Sequence, residues 1–349
     1  MPTDFDLSCP LPLPRHDRVQ LAHGGGGRLT RELIERLFVP AFANPALAAR
    51  HDSAILDLGA VRLAFTTDAY VVQPRRFPGG DVGTLAVYGT VNDLAMAGAR
   101  PLGLAAAFVL EEGLAIDELG DLVASMRGAA AACGVALVAG DTKVVDRGKA
   151  DGLYVTTSGV GLVPAGVDVR PERVRPGDVV LLSGDVGRHG IAVLSVREGL
   201  AFESPVESDC GPLAGLVQTL LDAGIEIHCL RDATRGGLAT VLNEIALDGG
   251  VAVEVDEAAI PVSDGVAAAC ELLGLDPLYV ACEGRMVAFV AAADAERALA
   301  LLRRDPAGRG AMTIGTVAAG PRGMVALRTR VGTRRLLDLL SGEQLPRIC

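Results

Sequence analysis

Hydrophobic residues recur along the chain with two different spacings. Apolar residues three and four positions apart predict amphipathic helices, whereas apolar residues at alternate positions predict half-buried strands. Leu29, Leu33 and Leu37 follow the helical spacing, and Val61 and Leu63 follow the alternating one. In the first half, the spacing predicts helices over residues 29–38, 84–97 and 117–132, and strands over residues 61–67, 102–110 and 135–139, the last one short and buried.

The second half continues in the same style after residues 170–177, where charge and proline density rise. The spacing predicts strands over residues 179–183, 251–255, 285–291, 312–317 and 324–329. It predicts helices over residues 190–198, 213–223, 236–247, 263–273 and 293–303. A basic helix over residues 334–340 and a mobile tail are expected to follow.

These patterns divide the chain into four segments. They are a Pro-rich lead over residues 1–19, an N-terminal domain over 20–169, a C-terminal domain over 170–329 and a tail over 330–349. Because the strands and helices show no regular βαβ period, we expect two layered α/β domains of the α+β class. A doubly wound parallel sheet is the alternative.

Composition narrows the possible partners. The net charge of −11 and pI near 5.0 argue against nucleic acid and anionic membranes, and favour a small ligand that carries its own metal cations. Mean hydropathy is +0.37, but no apolar run reaches the ~18 residues of a membrane span without Gly or charge. The first residues lack the basic and apolar regions of a signal peptide, so we expect a cytoplasmic protein.

Cysteine usage singles out one residue. The seven cysteines form no C-x-x-C pair, which fits neither a disulfide framework nor a structural zinc site. Cys349 is the last residue of a tail stiffened by Pro346, with Arg347 nearby. Such a thiol is well placed to carry a group to a reactive site. A frayed end that happens to stop at Cys is an equally good interpretation at this point.

Acidic residues in turns suggest a cation site. Carboxylates that converge repel one another, and hard cations such as Mg²⁺ relieve the repulsion while sharing their remaining positions with phosphates and water. Lys143 follows one of these acids and is suited to hold a phosphate oxygen. Alternatively, each aspartate only caps its own turn. The acids in question are Asp52, Asp68, Asp81, Asp93 and Asp141.

Gly-rich loops provide candidate phosphate contacts. Four glycines at residues 24–27 precede a helix, where backbone amides can approach phosphate oxygens, although a flexible lid is equally plausible. The loops at residues 183–190 and 231–237 place Arg, Asp and Gly at helix starts, which suits phosphate recognition or plain N-capping. Glu283 precedes a strand, as a general base or as an ordinary exposed acid.

Several motifs together match a known pattern from about residue 20 to residue 349. They are HGGGG at 23–27, FPGGD at 77–81, NDLAM at 92–96, GDTKV at 140–144, SGDVGRHG at 183–190, DATRGG at 232–237 and GEQLPRIC at 342–349. The series resembles the HypE family of hydrogenase maturation proteins, and the terminal PRIC is its most specific element. Three positions depart from the expected pattern: His51 stands for an acid, Ala233 for Pro and Cys282 for Asn.

The resemblance implies a fold like that of aminoimidazole ribonucleotide synthetase, with residues 20–169 binding ATP and Mg²⁺ and joining two copies through their sheets. It implies ATP-dependent dehydration of a carboxamide on Cys349 to a thiocyanate, which supplies cyanide for the iron of nickel-iron hydrogenase. The implied partners are a carbamoyltransferase maturation protein that loads Cys349 and an iron-carrying maturation scaffold that accepts cyanide.

The resemblance also assigns residues. Asp52, Asp68, Asp93 and Asp141 would hold the metal, and Lys143 and Glu283 would flank the sulfur of Cys349 as catalytic groups. The full set of expected nucleotide contacts is Gly25, Gly26, Asp52, Asp68, Asp81, Asn92, Asp93, Asp141, Thr142, Lys143, Asp232, Thr234 and Arg235.

Two other functions are compatible with the residues. A kinase or synthetase of the same superfamily would use the acidic loops for ATP and leave the tail idle. A maturation scaffold without catalysis would grip a metal through the exposed thiol, but it would need no base beside a phosphoryl site. The sequence does not decide whether Tyr88 touches adenine or only packs.

Overall fold

The computed structural model describes residues 18–48, 51–200, 205–340, 345 and 347–349. Most of the predicted lead, residue 341, and residues 342–344 and 346 of the terminal motif lie outside the described residues. The α-helices are α1 (Arg28–Leu33), α2 (Val39–Ala41), α3 (Pro45–Ala48), α4 (Val82–Met96), α5 (Ile116–Ala132), α6 (Arg188–Arg197), α7 (Ala214–Asp222), α8 (Gly237–Gly249), α9 (Asp264–Leu273) and α10 (Ala295–Leu302).

The strands occur both singly between helices and in consecutive runs. They are β1 (Ala54–Asp57), β2 (Arg62–Tyr70), β3 (Arg76–Phe77), β4 (Gly80–Asp81), β5 (Arg100–Glu111), β6 (Leu137–Val145), β7 (Leu153–Val163), β8 (Val179–Leu182), β9 (Ile227–Asp232), β10 (Ala252–Asp256), β11 (Met286–Val290), β12 (Met312–Ala318), β13 (Val325–Arg328) and β14 (Arg334–Leu336). No helix in the described ranges is long and apolar enough to cross a lipid bilayer.

The first sheet has the strand order β1-β2-β7-β5-β6, and only the pair β5 and β6 is parallel. Helices α4 and α5 cover one of its faces. Leu85, Val91 and Leu94 of α4 are fully buried, because this helix packs against the sheet, against α5 and also against α7 and β9 of the second half. A helix that is apolar on nearly all sides is expected in such a central position.

The second sheet has the order β14-β13-β10-β12-β8-β11-β9, in which only β10 and β13 are parallel. Strand β11 shows how it is covered: Val287 and Phe289 belong to the core beneath α8, while Ala288 and Val290 belong to the core beneath α7 and α10. A strand buried on both faces is an unbroken apolar run. The α+β class is confirmed, and the predominance of antiparallel pairs excludes a doubly wound parallel sheet.

The secondary-structure prediction was wrong for one helix and missed several strands. The predicted basic helix over residues 334–340 is wrong, since Arg334–Leu336 is a strand that pairs with β13. Its arginines pair with acids from neighbouring elements, Arg334 with Glu254 at 3.5 Å and Arg335 with Asp276 at 2.8 Å. Short polar edge strands such as β14 carry little hydrophobic periodicity. The spacing also missed β1, β7 and β9.

Strand β6 was predicted as short and buried, but it is long and exposed. It forms the edge of the first sheet, and Val138 and Val144 are 73% and 66% exposed. An apolar run normally indicates a strand that is buried within its own protein molecule. Exposed valines on an edge strand are therefore unusual for a protein that acts as a monomer. The fourfold division of the chain stays a prediction; the predicted boundary at residues 170–177 falls on the connection between β7 and β8.

Candidate active site

A cleft with a cavity volume of about 550 Å³ lies where the two sheets meet. Residues distant in sequence line it together: strand β2 and helix α4 contribute from the first half, the end of β9 and the loop before β11 from the second, and α1 from the N-terminal segment. The predicted site residues in its lining are Gly26, Asp52, Asp68, Asp93, Asp232, Thr234, Arg235, Glu283 and Cys349.

Three carboxylates form the centre of the cleft. Asp52, Asp93 and Asp232 each offer an oxygen within 4.8 Å of the others. Unit charges about 4 Å apart repel by about 4 kcal/mol at an effective dielectric constant of about 20. Burial, and then neighbouring acids, raise the pKa values of Asp93 and Asp232 well above the ordinary value. A hard divalent cation would offset this repulsion, so the donor set fits Mg²⁺.

Neighbouring side chains fix the position of the cluster. The Thr66 hydroxyl lies 2.8 Å from Asp93 Oδ2, and Ser53 Oγ donates to the main-chain carbonyl of Asp93 at 2.9 Å. Arg231 Nη1 pairs with Asp52 Oδ1 at 3.0 Å and with Glu244 at 3.3 Å. Among the described atoms, Asp52 Oδ2 has no hydrogen-bond partner, which leaves one buried oxygen for a cation or its water.

The carboxylates that cluster in the structure therefore differ in part from the predicted metal ligands. Asp52 and Asp93 are brought together as expected, but the third member of the cluster is Asp232 rather than Asp68 or Asp141. Asp68 lines the same cleft from β2 and contributes to raising the pKa values of Asp52, Asp93 and Asp232.

Asp141, Thr142 and Lys143 do not line the cleft of their own chain. They lie on the exposed edge strand β6, where Lys143 Nζ is 2.6 Å from Asp141 Oδ2 and both side chains are exposed. Within one chain these three residues lie outside the cleft, on the outermost strand of the sheet, and their contacts with the nucleotide stay a prediction.

Asp81 and Asn92 hold the fold rather than line the cleft. Asp81 is the N-cap of α4: its Oδ1 accepts from the Thr84 backbone N–H at 2.9 Å. Asn92 is buried and bonds both to the Gly211 carbonyl at 3.0 Å and to the Leu213 N–H at 2.8 Å. The alternative interpretation of Asp81 as a turn cap is the one the geometry supports. Asn92 ties α4 to the segment before α7.

The glycine loop lies over the cleft. Gly26 has φ +76°, and a Cβ there would stand 2.7 Å from Arg235 Cβ, so the loop and Arg235 fit closely only without a side chain. Gly25 lines an adjoining cavity of about 170 Å³ beside the tail. Thr30 Oγ1 accepts the Gly26 N–H at 2.9 Å.

Glu283 is buried in the wall of the cleft. It is 4% exposed, and its Oε1 has no hydrogen-bond partner among the described atoms. Burial raises its pKa well above the ordinary value, Asp232 and Asp68 add to the rise, and Arg235 opposes it. A buried carboxyl with a raised pKa is the kind of group that takes a proton from a bound reactant.

The end of the chain is docked in the cleft rather than frayed. A main-chain oxygen of Cys349 accepts the Val71 N–H at 3.1 Å, and the Arg347 carbonyl accepts the Gln73 N–H at 3.3 Å. Cys349 is partly buried, and burial raises the pKa of its thiol while Arg235 opposes the rise. The sulfur therefore shares one cleft with Glu283 and the acidic cluster.

Arg235 is the cation beside the sulfur. It makes no hydrogen bond or ion pair with another described residue, and its pKa is raised most strongly by the negative charge that Cys349 can carry. The sequence placed Lys143 in this position, whereas the single chain places Arg235 there. An unpaired guanidinium in an acidic cleft is suited to phosphoryl oxygens.

The departures from the motif pattern lie close to the site. His51 lines the cleft with both ring nitrogens unpartnered among the described atoms, and burial, together with Arg231, lowers its pKa to about 3. Cys282 is fully buried and accepts the Gly187 N–H through Sγ at 3.2 Å. Ala233 is buried. Tyr88 packs against the core of the first sheet and does not line the cleft.

Sequence reasoning missed the residues that hold the site in place. Arg231 is buried within the strand that carries Asp232, and a charged residue inside an apolar strand was a signal that could have been used. Thr66 gave no such signal, because threonine is common in strands.

Comparison with known proteins identifies this arrangement. The profile described as AIR synthase related protein, N-terminal domain, matches residues 50–163, and its C-terminal counterpart matches residues 175–328. The two-domain fold is thus that of the AIR synthase related class. The carbamoyl dehydratase HypE of Cupriavidus necator is 54% identical over 333 residues, which cover 95% of each chain. The protein belongs to the HypE family of carbamoyl dehydratases.

Solved structures agree with this assignment. A hydrogenase maturation protein HypE in complex with ATP has a TM-score of 0.81 and 47% identity, over 95% of this chain and all of that one. The HypE–HypF complex contains a chain with a TM-score of 0.84 and 44% identity, over 88% of this chain and 99% of that one.

Proposed function

We propose that this protein dehydrates a carboxamide on its own Cys349 to a thiocyanate, at the expense of ATP, and so supplies cyanide for the iron of nickel-iron hydrogenase. The observation that carries the proposal is the position of Cys349 in the same cleft as Glu283, Arg235 and the carboxylate cluster. The ATP-bound HypE structure supports nucleotide binding by this chain, and the carboxylate cluster is the reason we assign the nucleotide to this cleft.

The reaction converts S–C(=O)–NH₂ and ATP into S–C≡N, ADP and phosphate. ATP supplies a phosphoryl group to the carboxamide oxygen, which leaves as phosphate, and a bound Mg²⁺ would neutralise phosphate charge. Both protons leave the nitrogen as the C–N bond order rises from one to three: Glu283 takes one, and the departing phosphate carries the other. Arg235 faces the sulfur and neutralises negative charge on the oxygens that move. Asp52, Asp93 and Asp232 would hold the cation.

The proposal is tested by the mass of the C-terminal peptide. Protein carrying a carbamoyl group on Cys349 is isolated and then incubated with ATP and Mg²⁺. The expected result is the loss of one water from that peptide, and no loss when either ATP or Mg²⁺ is omitted. A peptide that keeps its full carbamoyl mass while ATP is turned over on a free small substrate would favour the kinase alternative. No turnover of any kind would favour the scaffold.

The proposal includes partners and a place in the cell. The HypE–HypF complex supports a HypF-type partner, which we propose to be the carbamoyltransferase maturation protein that loads Cys349. An iron-carrying maturation scaffold would then accept the cyanide. Because these partners act before the hydrogenase is complete, we place the reaction in the cytoplasm.

We also propose that the protein acts as a homodimer joined through the first sheet. The exposed apolar edge strand β6 supports this, because pairing with a second copy would bury Val138 and Val144. In such a dimer, the Asp141 and Lys143 side chains would face the partner copy. Asp141 would then bind the metal, and Lys143 would flank the sulfur, in the cleft of the partner copy.

The dimer is tested by charges on the edge strand. Val138→Glu with Val144→Glu is expected to convert a dimer into a monomer in sedimentation, because two buried carboxylates without partners cost several kcal/mol. Leu272→Glu is the matched control, since Leu272 is 72% exposed on α9, away from the sheet. An edge-strand variant that sediments like the unaltered protein would contradict the proposal.

A further inference from the structure

We propose that His189 and Asp209 are positioning residues that hold the sulfur of Cys349 and the carboxyl of Glu283 in a fixed relation. The inference rests on the proposed function and adds to it the residues that align its two reacting groups. Neither residue lines the cleft, and each acts through a backbone group next to a reacting side chain.

His189 holds the tail from beneath. It is fully buried in the first turn of α6, and its Nε2 lies 2.8 Å from the carbonyl of Ile348, the residue before Cys349. A carbonyl can only accept, so Nε2 must carry the proton. Nδ1, 2.8 Å from Ser208 Oγ, is then the acceptor of the hydroxyl proton.

Neighbouring groups fix the orientation and the protonation state of the His189 ring. Ser208 Oγ itself accepts the Cys210 N–H at 3.0 Å, and the Phe77 ring stands edge-on to the imidazole at 5.1 Å. Burial lowers the pKa of His189, while the bond to Ile348 and the charge of Asp209 oppose the fall. The neutral ring with a proton on Nε2 is thus a pre-set donor for the tail.

Asp209 holds the loop of the proposed base. Its Oδ1 accepts the His189 N–H at 2.9 Å, and its Oδ2 accepts the N–H groups of Glu283 and Gly284, each at 3.2 Å. One carboxylate therefore joins the backbone of His189 to the backbone of Glu283. The fit is close, since a Cβ on Gly284 would stand only 1.9 Å from the Asp209 carbonyl.

Together the two residues form a short path from the tail to the base. It runs from the Ile348 carbonyl through the His189 ring and N–H to Asp209, and from there to the Glu283 N–H. Arg197 also donates to a carbonyl near the end of the tail, that of Arg347 at 2.8 Å, but this bond is only partly buried, whereas the His189 bond is fully buried. Buried, fully paired hydrogen bonds define a geometry more strictly than exposed ones. Misplacement of reacting groups by about 1 Å can cost about 100-fold in rate.

The test uses the whole protein and two variants of one position. His189→Phe keeps a ring but removes both nitrogens, and His189→Gln retains an N–H that can reach the Ile348 carbonyl. Alkylation of Cys349 by iodoacetamide is followed on the C-terminal peptide, and amide exchange is followed at Val71 and Gln73, whose N–H groups bind the tail. We expect about 10-fold faster alkylation and exchange in His189→Phe, and most of the protection restored in His189→Gln.

His228→Phe is the matched control, because it removes another fully buried imidazole, one bonded to Asp178 and Glu226 away from the tail. Its tail should stay protected. Alkylation and exchange rates in His189→Phe equal to those of the unaltered protein would overturn the inference. So would an equal loss of protection in His189→Phe and His189→Gln. These readouts need no turnover, so failure of wild-type protein to lose water from a carbamoylated Cys349 would count against the proposed function alone. In protein that does lose water, His189→Phe should lose it more slowly.

Discussion

A protein that ends at Ile348 is expected to form no thiocyanate and to supply no cyanide for hydrogenase assembly. The sulfur of Cys349 is the atom to which the carboxamide is attached in the proposed reaction, and no other described cysteine lines the cleft. Cys349→Ser should behave in the same way, because an alcohol is a far weaker nucleophile than a thiolate at neutral pH. The measurement is the mass of the C-terminal peptide after loading and incubation with ATP and Mg²⁺.

Nucleotide binding separates this expectation from loss of the fold. Cys349 is not part of the carboxylate cluster, so both variants should bind ATP with affinity within a few-fold of the unaltered protein. Cys133→Ser serves as the control, since Cys133 is partly buried at the end of α5 and lies outside the cleft. Continued supply of cyanide by the shortened protein would remove the basis of the proposed function.

Glu283→Gln is expected to accept the carbamoyl group on Cys349 but to lose water from it about 100-fold to 10,000-fold more slowly, the range expected for loss of a general base. Glutamine has nearly the same size and keeps a carbonyl oxygen, but it cannot take a proton. The measurement is the single-turnover rate at which the carbamoylated C-terminal peptide loses one water in the presence of ATP and Mg²⁺.

The role of Glu283 as a base also predicts how the rate of water loss changes with pH. A base must be deprotonated to act, and burial raises the pKa of Glu283, so the rate should rise as pH increases through that pKa. The rising limb should be absent in Glu283→Gln. Glu207→Gln, at an exposed position outside the cleft, should keep both rate and limb. A Glu283→Gln variant with the rate of the unaltered protein would show that another group takes the proton.

Sequence patterns predicted most of the long elements because those elements satisfy one period throughout. Helices α4 and α5 and strands β5 and β11 lie close to their predicted ranges. Strands β9 and β14 were not predicted because short strands, and strands that contain charged residues, lack a clear alternation of apolar and polar residues. The exposure of β6 was not predictable either, because an apolar run looks the same whether its partner is inside the chain or in a second copy.

The candidate site was predictable in its residue types but not in its membership. Aspartate favours turns for local reasons, so the pattern could not separate Asp81, which caps α4, from Asp93, which joins the cluster. Asp81 precedes α4, and Asp93 lies within it. Only Asp93 reaches Asp232, because α4 packs against β9, the strand that carries Asp232.

By itself, the sequence determined the α+β class and the resemblance to the HypE family, and it singled out Cys349 and Glu283 as the proposed reacting groups, because those features reside in local periodicity and in short motifs. Only the tertiary structure decided that Asp232 completes the carboxylate cluster, that Arg235 stands beside the sulfur, and that His189 and Asp209 link the tail to the base. The physical reason is distance along the chain. Ile348 and His189 are 159 positions apart, and no local spacing specifies a hydrogen bond that forms only after two sheets have packed together.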